Sequence, residues 1–137
     1  MVWGDKLIVI LDANEYINYI SNKILLLDRI LSDDKILIYI NETITKEVIN
    51  NLSQSLIKDF YDFLLRNNIS VYYEKIPFHL LQKYKKLGLK KGDIAIAAFC
   101  ENINADYLIT ENRHFLKSKK FDKFKVLSLK EFLGKLK

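Results

Sequence analysis

The sequence predicts a single α/β domain, residues 1–137, folded as a three-layer α/β/α sandwich around a central, mostly parallel sheet. Three observations lead there. Apolar runs too continuous for a half-exposed strand alternate with segments of helical period. The chain has the length of one core, since independent domains commonly run to roughly 100 to 150 residues. Half of its residues are hydrophobic and 28% are charged, a globular composition.

The first run, Leu7-Ile8-Val9-Ile10-Leu11, stops abruptly at Asp12 and reads as a strand buried on both faces. Residues 13 to 31 follow with apolar positions at Ile17, Ile20, Ile24, Leu27 and Leu31, a helical spacing interrupted near Ser21-Asn22, so one kinked helix or two short ones are expected. Ile36-Leu37-Ile38-Tyr39-Ile40 repeats the strand pattern, and Thr43 is the expected cap of a helix starting at Ile44. Residues 54 to 66 place Leu56, Phe60, Phe63 and Leu64 on one helical face, and Ile69-Ser70-Val71-Tyr72 reads as a short strand. Pro77 opens a helix to about Leu87, and Gly88 to Gly92 form a turn into a helix from Asp93 that is apolar all round, hence central. Tyr107-Leu108-Ile109 is the fourth strand, 112 to 118 a short helix, Lys125-Val126-Leu127 the last strand, and Leu129 to Leu136 a helix capped by Ser128. In such sheets ligands bind beyond the carboxyl ends of the strands, so residues just after the apolar runs are the ones to inspect.

A single cysteine, Cys100, excludes an internal disulfide and a cysteine-based zinc site. Met1 to Lys6 carry no basic leader, and no apolar stretch reaches membrane length, so a cytoplasmic protein with no membrane contact is expected. The formal charge of +5 favours a polyanionic partner.

Topology brings Asp12, Asp93 and Asn112 with its neighbour Glu111 to one edge of the sheet, while Glu47 borders the inward face marked by Ile44, Val48 and Leu52. Each has a plainer reading. Asp12, Asp93 and Asn112 are good helix caps, Glu111 suits a first helical turn, and Glu47 taken singly is a solvated glutamate. Taken together, convergent carboxylates repel and need protons or hard cations to coexist. An all-oxygen donor set suits Mg²⁺ or Mn²⁺ rather than zinc, and such ions activate water against a phosphodiester.

These segments together resemble a PIN domain over nearly the whole chain: Leu11-Asp12-Ala13-Asn14, Thr45-Lys46-Glu47-Val48, Gly92-Asp93-Ile94-Ala95-Ile96-Ala97-Ala98, and Ala105-Asp106-Tyr107-Leu108-Ile109-Thr110-Glu111-Asn112-Arg113-His114-Phe115. The resemblance implies a compact ribonuclease using Mg²⁺ or Mn²⁺, and many small members are VapC-type toxins restrained by an antitoxin. It implies that Asp12, Glu47 and Asp93 ligate the metal, that Asn14 arranges its water shell, and that Thr110 supports the site. Asn112 falls where members carry a fourth Asp or an Asn, and an amide in that place puts a second metal in doubt. Glu111 is a weaker substitute, and Asp106 belongs to the fold.

The activity so implied is in-line attack of an activated water on single-stranded or looped RNA, leaving a 5′-phosphate and a 3′-hydroxyl, by a homodimer. Lys90, Lys91 and Arg113 flank the site as expected phosphate contacts, with His114 a further cation there; solvated basic loops are the plainer reading. Phe60, Phe63, Phe99 and Phe115 fall at core positions rather than on a base-stacking platform. Three rivals remain: a PIN ribonuclease for RNA maturation or decay without an antitoxin, a catalytically silent PIN scaffold, and a phosphoacceptor signalling domain. The last fits less well, because Asp12 stands alone after the first strand and Val71-Tyr72-Tyr73 supplies no acid.

Overall fold

The computed structural model describes residues 6–117 and 121–136. The expectations for Met1 to Asp5, for the end of the short helix at 118 and for the last residue lie outside them. In chain order the elements are β1 (Leu7–Leu11), α1 (Ala13–Ser21), a 3₁₀ turn (Leu25–Leu27), α2 (Asp28–Leu31), β2 (Ile36–Asn41), α3 (Glu42–Asn50), α4 (Gln54–Arg66) and β3 (Ser70–Tyr72). Then come α5 (Phe78–Lys86), α6 (Lys91–Asn102), β4 (Tyr107–Ile109), α7 (Arg113–Lys117), β5 (Lys125–Leu127) and α8 (Leu129–Lys135). The five strands form one sheet in the order β3-β2-β1-β4-β5, every pairing parallel.

The order explains the composition of β1. A central parallel strand is covered on both faces, and Val9, Ile10 and Leu11 are all 0% exposed. The edge strands β3 and β5 are three residues long and only partly buried. Helix α6 is the buried crossover expected from its all-round apolarity: Ile96 to Cys100 are 1% exposed or less. Tyr16 packs edge-on against Phe60 and Phe63 at ring separations of 5.8 and 6.0 Å, tying α1 to α4. Phe60, Phe63, Phe99 and Phe115 are core residues, as their positions predict. Among the described residues no helix is long and apolar enough to cross a membrane.

One local expectation is corrected. Helix α3 begins at Glu42, and its cap is Asn41 rather than Thr43: the Ile44 N–H donates to Asn41 Oδ1 at 2.9 Å, and the Thr45 hydroxyl donates to the Asn41 carbonyl at 2.8 Å. Asn41 is the last residue of β2 and still extended (φ −107°, ψ 177°), the backbone a cap requires, whereas Thr43 is already inside the helix. Ser128 does cap α8, in a full capping box with Glu131. Because α3 carries Glu47, its start matters for the site. Asn41→Ala should cost about 1 kcal/mol in chemical denaturation, and Thr43→Ala much less; equal losses would contradict the assigned cap.

Candidate active site

In the sheet order, β1 lies between β2, which follows it in the chain, and β4, which is reached only after five further elements cross over. This is the point where strand order reverses, and the crevice opens beyond the carboxyl ends of β1 and β4. Asp12 leaves β1 there and Thr110 leaves β4. The register pairs Leu11 with Ile109, so the next residues, Asp12 and Thr110, sit side by side with side chains on the same face. Two ladder bonds hold them, from the Asp12 N–H to the Ile109 carbonyl at 2.9 Å and from the Thr110 N–H to the Leu127 carbonyl at 3.0 Å. The Thr110 hydroxyl then donates to Asp12 Oδ2 at 2.6 Å and accepts from the Asn112 N–H at 2.9 Å. Asp12 Oδ1 accepts from the Ala13 N–H at 2.8 Å, so Asp12 also caps α1. Asp12 is 7% exposed and Thr110 fully buried.

Asp93 is not a cap. It is the third residue of α6, whose cap position is the exposed Lys90, and it sits in the first turn where the helix dipole favours an acid. Asn112 Nδ2 reaches Asp93 Oδ1 at 3.5 Å, while Asn112 Oδ1 accepts from the His114 N–H at 2.9 Å and caps α7. Asn112 therefore serves both its plain role and the site. Glu47, half-buried as the sixth residue of α3, leans toward the start of α6: a Cβ added at Gly92 would lie 3.2 Å from Glu47 Oε1. Gly92 gives that carboxylate room.

The electrostatics tie these acids together. Burial pushes the Glu47 carboxyl above its ordinary pKa, and the negative charges of Asp12 and Asp93 push it further. Burial and Asp12 also raise Asp93, against the opposing pull of His114 and the Asn112 hydrogen bond. Glu47 thus feels both Asp12 and Asp93, and Asp93 feels Asp12. Among the described residues, though, no group of three acidic, histidine or cysteine side chains closes tightly enough to hold a metal ion as it stands.

Beside Asp93 runs a cleft of about 580 Å³ whose other polar walls are Lys90, Arg113, His114 and Lys117. Lys91 is exposed and lies outside it, and Asn14 is exposed near the start of α1. A larger cleft, about 710 Å³, lies between α3, α4 and β3, and touches none of Asp12, Glu47 or Asp93. Lys117 was not singled out from sequence, although it lies one turn beyond His114 on α7. Glu15 was also missed. It is 3% exposed, and burial, Glu111 and Asp12 hold its carboxyl up at about 8. The signal was its place three residues after the cap Asp12, where a glutamate normally reaches back to the cap N–H. Here that N–H is already bonded to Ile109, and Glu15 turns toward Glu111 instead. Glu111 in turn accepts the Leu129 N–H at 3.0 Å and points away from Asp93. Asp106 is structural, its Oδ2 accepting the Ile8 N–H at 2.8 Å.

Along 89% of this chain and 98% of its own, a chain of VapBC2 from Rickettsia felis, crystallised with a fragment of promoter DNA, superposes with a TM-score of 0.61 at 16% identity. The PIN domain of RRP44 from T. brucei superposes over 95% of this chain and 80% of its own, with a TM-score of 0.57 at 12% identity. The fold is that of a PIN domain. No protein-family model and no curated protein sequence matches the chain. The all-parallel five-stranded sheet and its helical layers are as the resemblance implies.

The raised carboxyls give the PIN fold a definite pH dependence. A carboxyl whose pKa is higher folded than unfolded contributes stability below its unfolded value and loses that contribution as pH rises through the folded one. For Glu15 this window runs from the ordinary 4.5 to about 8. In chelator, the stability difference between Glu15→Gln and wild type should grow in the variant's favour from pH 5 to pH 9, reaching on the order of 1 kcal/mol. A difference flat across thermal melts in that range would show that Glu15 is not held protonated.

Proposed function

We propose that this protein is a metal-dependent endoribonuclease, with Asp12, Glu47 and Asp93 as the ligands of Mg²⁺ or Mn²⁺ and Asn112 completing the catalytic group. What supports the reading is the repulsion that Asp12 exerts on Glu47 and Asp93 near the switch point of a PIN fold, with a basic cleft beside Asp93. The donor set suits a hard divalent ion: it is all oxygen and anionic, and Glu47 and Asp93 are only half-buried. Such an ion would neutralise charge developing on the phosphoryl oxygens and acidify a water for attack.

The protein's own contribution is positional. Thr110 fixes the rotamer of Asp12 by a buried hydrogen bond, so this carboxylate need not be ordered when substrate arrives. Gly92 lets Glu47 approach α6, and Asn112 holds Asp93. Lys90, Arg113 and Lys117 supply the cleft's positive charge and, with His114, would hold RNA phosphates on the Asp93 side; Lys91 is proposed as a further phosphate contact, and Asn14 as arranging the metal's water shell. Unstacked RNA suits an open crevice of this kind better than a duplex. Likeness to the VapBC2 neighbour supports the further reading of a toxin restrained by an antitoxin, and we propose in addition that it is cytoplasmic and homodimeric.

A second reading, a PIN scaffold that binds RNA without cutting it, is favoured by one observation: the acids do not close into a ligand sphere unaided. A PIN nuclease of RNA maturation or decay shares the first reading's site and differs only in having no antitoxin. The deciding experiment is cleavage of structured and unstructured RNA with Mn²⁺, comparing wild type, Asp12→Asn and Asp93→Asn. Loss of at least about 100-fold is expected in both variants, with the fold retained. Activity that survives chelation or either substitution would refute the nuclease site. Divalent ions must displace protons from Glu47 and Asp93, so cleavage should fall with acidification at a pH above the ordinary carboxylate range. A rate that stays level down to about pH 4.5 would contradict the raised values.

A further inference from the structure

Sharing no lining residue with the basic cleft, a cavity of about 190 Å³ lies between α1, the 3₁₀ turn and the start of α8. Its polar lining is Glu15, Asn18, Glu111 and, at the rim, Lys130. Glu15 is 3% exposed, and its Oε2 is buried with no hydrogen-bond partner. A buried carboxylate oxygen left without a donor is costly unless something cationic or protonated meets it. Among the described residues only a proton held between Glu15 and Glu111 meets it, and no cationic side chain does. The neighbouring Glu111 is itself an acceptor, and no ion pair among the described residues joins Lys130 to either acid.

We propose that this cavity is a binding site for one guanidinium group carried on an alkyl stem, with the Glu15 and Glu111 carboxylates as its counter-charges. The walls select this class over a metal ion. Only two carboxylates are present, and one oxygen of Glu111 is already committed to the Leu129 N–H. Asn18 Oδ1 already accepts from Asn22 Nδ2 at 3.0 Å, which leaves it one further lone pair rather than a free ligand. The remaining surface is apolar, from Leu26, Leu27 and Leu129, which a hydrated cation would not favour and a hydrocarbon stem would. A guanidinium is planar, weakly hydrated and forked to match carboxylate oxygens, whereas a lysine ammonium is compact and strongly hydrated. Ile24 and Leu26, 44% and 53% exposed, form an apolar lip against which residues flanking such a group can pack. The site is separate from the RNA-cleaving reading, since it uses neither the basic cleft nor the acids facing it.

The test is titration of the full chain with arginine amide at pH 8.5 in chelator and constant ionic strength, followed by backbone amide resonances. Saturable shifts centred on Leu129, Glu111 and Asn18 are expected, with lysine amide at least several-fold weaker. Glu15→Gln, which keeps the shape and removes the charge, should weaken binding roughly tenfold, and Glu111→Gln should act in the same direction. Asp93→Asn should leave these shifts unchanged, which separates this cavity from the acids across the sheet edge. A Leu-Arg-Leu peptide binding more tightly than arginine amide would make a protein side chain the source of the group; equal affinity would make it a small molecule. Absence of saturation, equal binding by lysine amide, or undiminished binding in the Glu15→Gln protein would overturn the proposal.

Discussion

The structure turns on the hydrogen bond between the Thr110 hydroxyl and Asp12. It joins the ends of the two strands that flank the reversal in strand order, and it exists because parallel register sets those residues side by side. Its donor is also an acceptor: the same hydroxyl receives the Asn112 N–H, so the turn that leads into α7 is anchored to the carboxylate that starts α1. One buried hydroxyl thereby orients the first acid, the amide that touches Asp93, and the helix that carries His114 and Lys117. Charge placement at the crevice follows from backbone geometry, not from long flexible side chains finding one another.

That placement works against stability. Glu15, Glu47 and Asp93 are each less acidic than free carboxyls because burial and like charges disfavour their ionised forms. A fold selected for rigidity alone would replace such groups by apolar or neutral residues. They stand beside an otherwise apolar centre in which Val9, Ile10 and Leu11 are completely enclosed, and a cation bound as proposed above would offset their cost. The carboxylates occupy two compartments. Asp93 borders the basic cleft, while Glu15 and Glu111 face a separate, small, mostly apolar chamber.

Most of the architecture was legible because hydrophobic period and run length report burial directly. An interior strand is the simplest account of the run Leu7 to Leu11, and a central helix of the all-round apolar segment from Asp93 to Cys100. Asp12, Asp93 and Glu47 were legible as candidates because they stand at the ends of those runs or on their borders. The start of α3 was not, since Asn41 and Thr43 are both competent caps and the choice depends on how far β2 extends before its backbone turns. Glu15 was hidden for a related reason: its usual local partner, the Asp12 N–H, is taken by a strand ninety-odd residues away in sequence, and a long-range bond of this kind leaves no trace in local pattern. Lys117 looked like one of many surface lysines, and only the packing of α7 beside the start of α6 gives it a direction.

The sheet narrows from its middle to its margins, five and six residues in β1 and β2 against three in β3 and in β5. An outermost strand that short offers few open backbone amides and carbonyls for another chain to zip onto, and β5 begins with the exposed Lys125. A sequence this rich in isoleucine, leucine and tyrosine would otherwise be prone to cross-strand polymerisation. The truncated margins confine its most adhesive segments to the interior, where they are already paired on both sides.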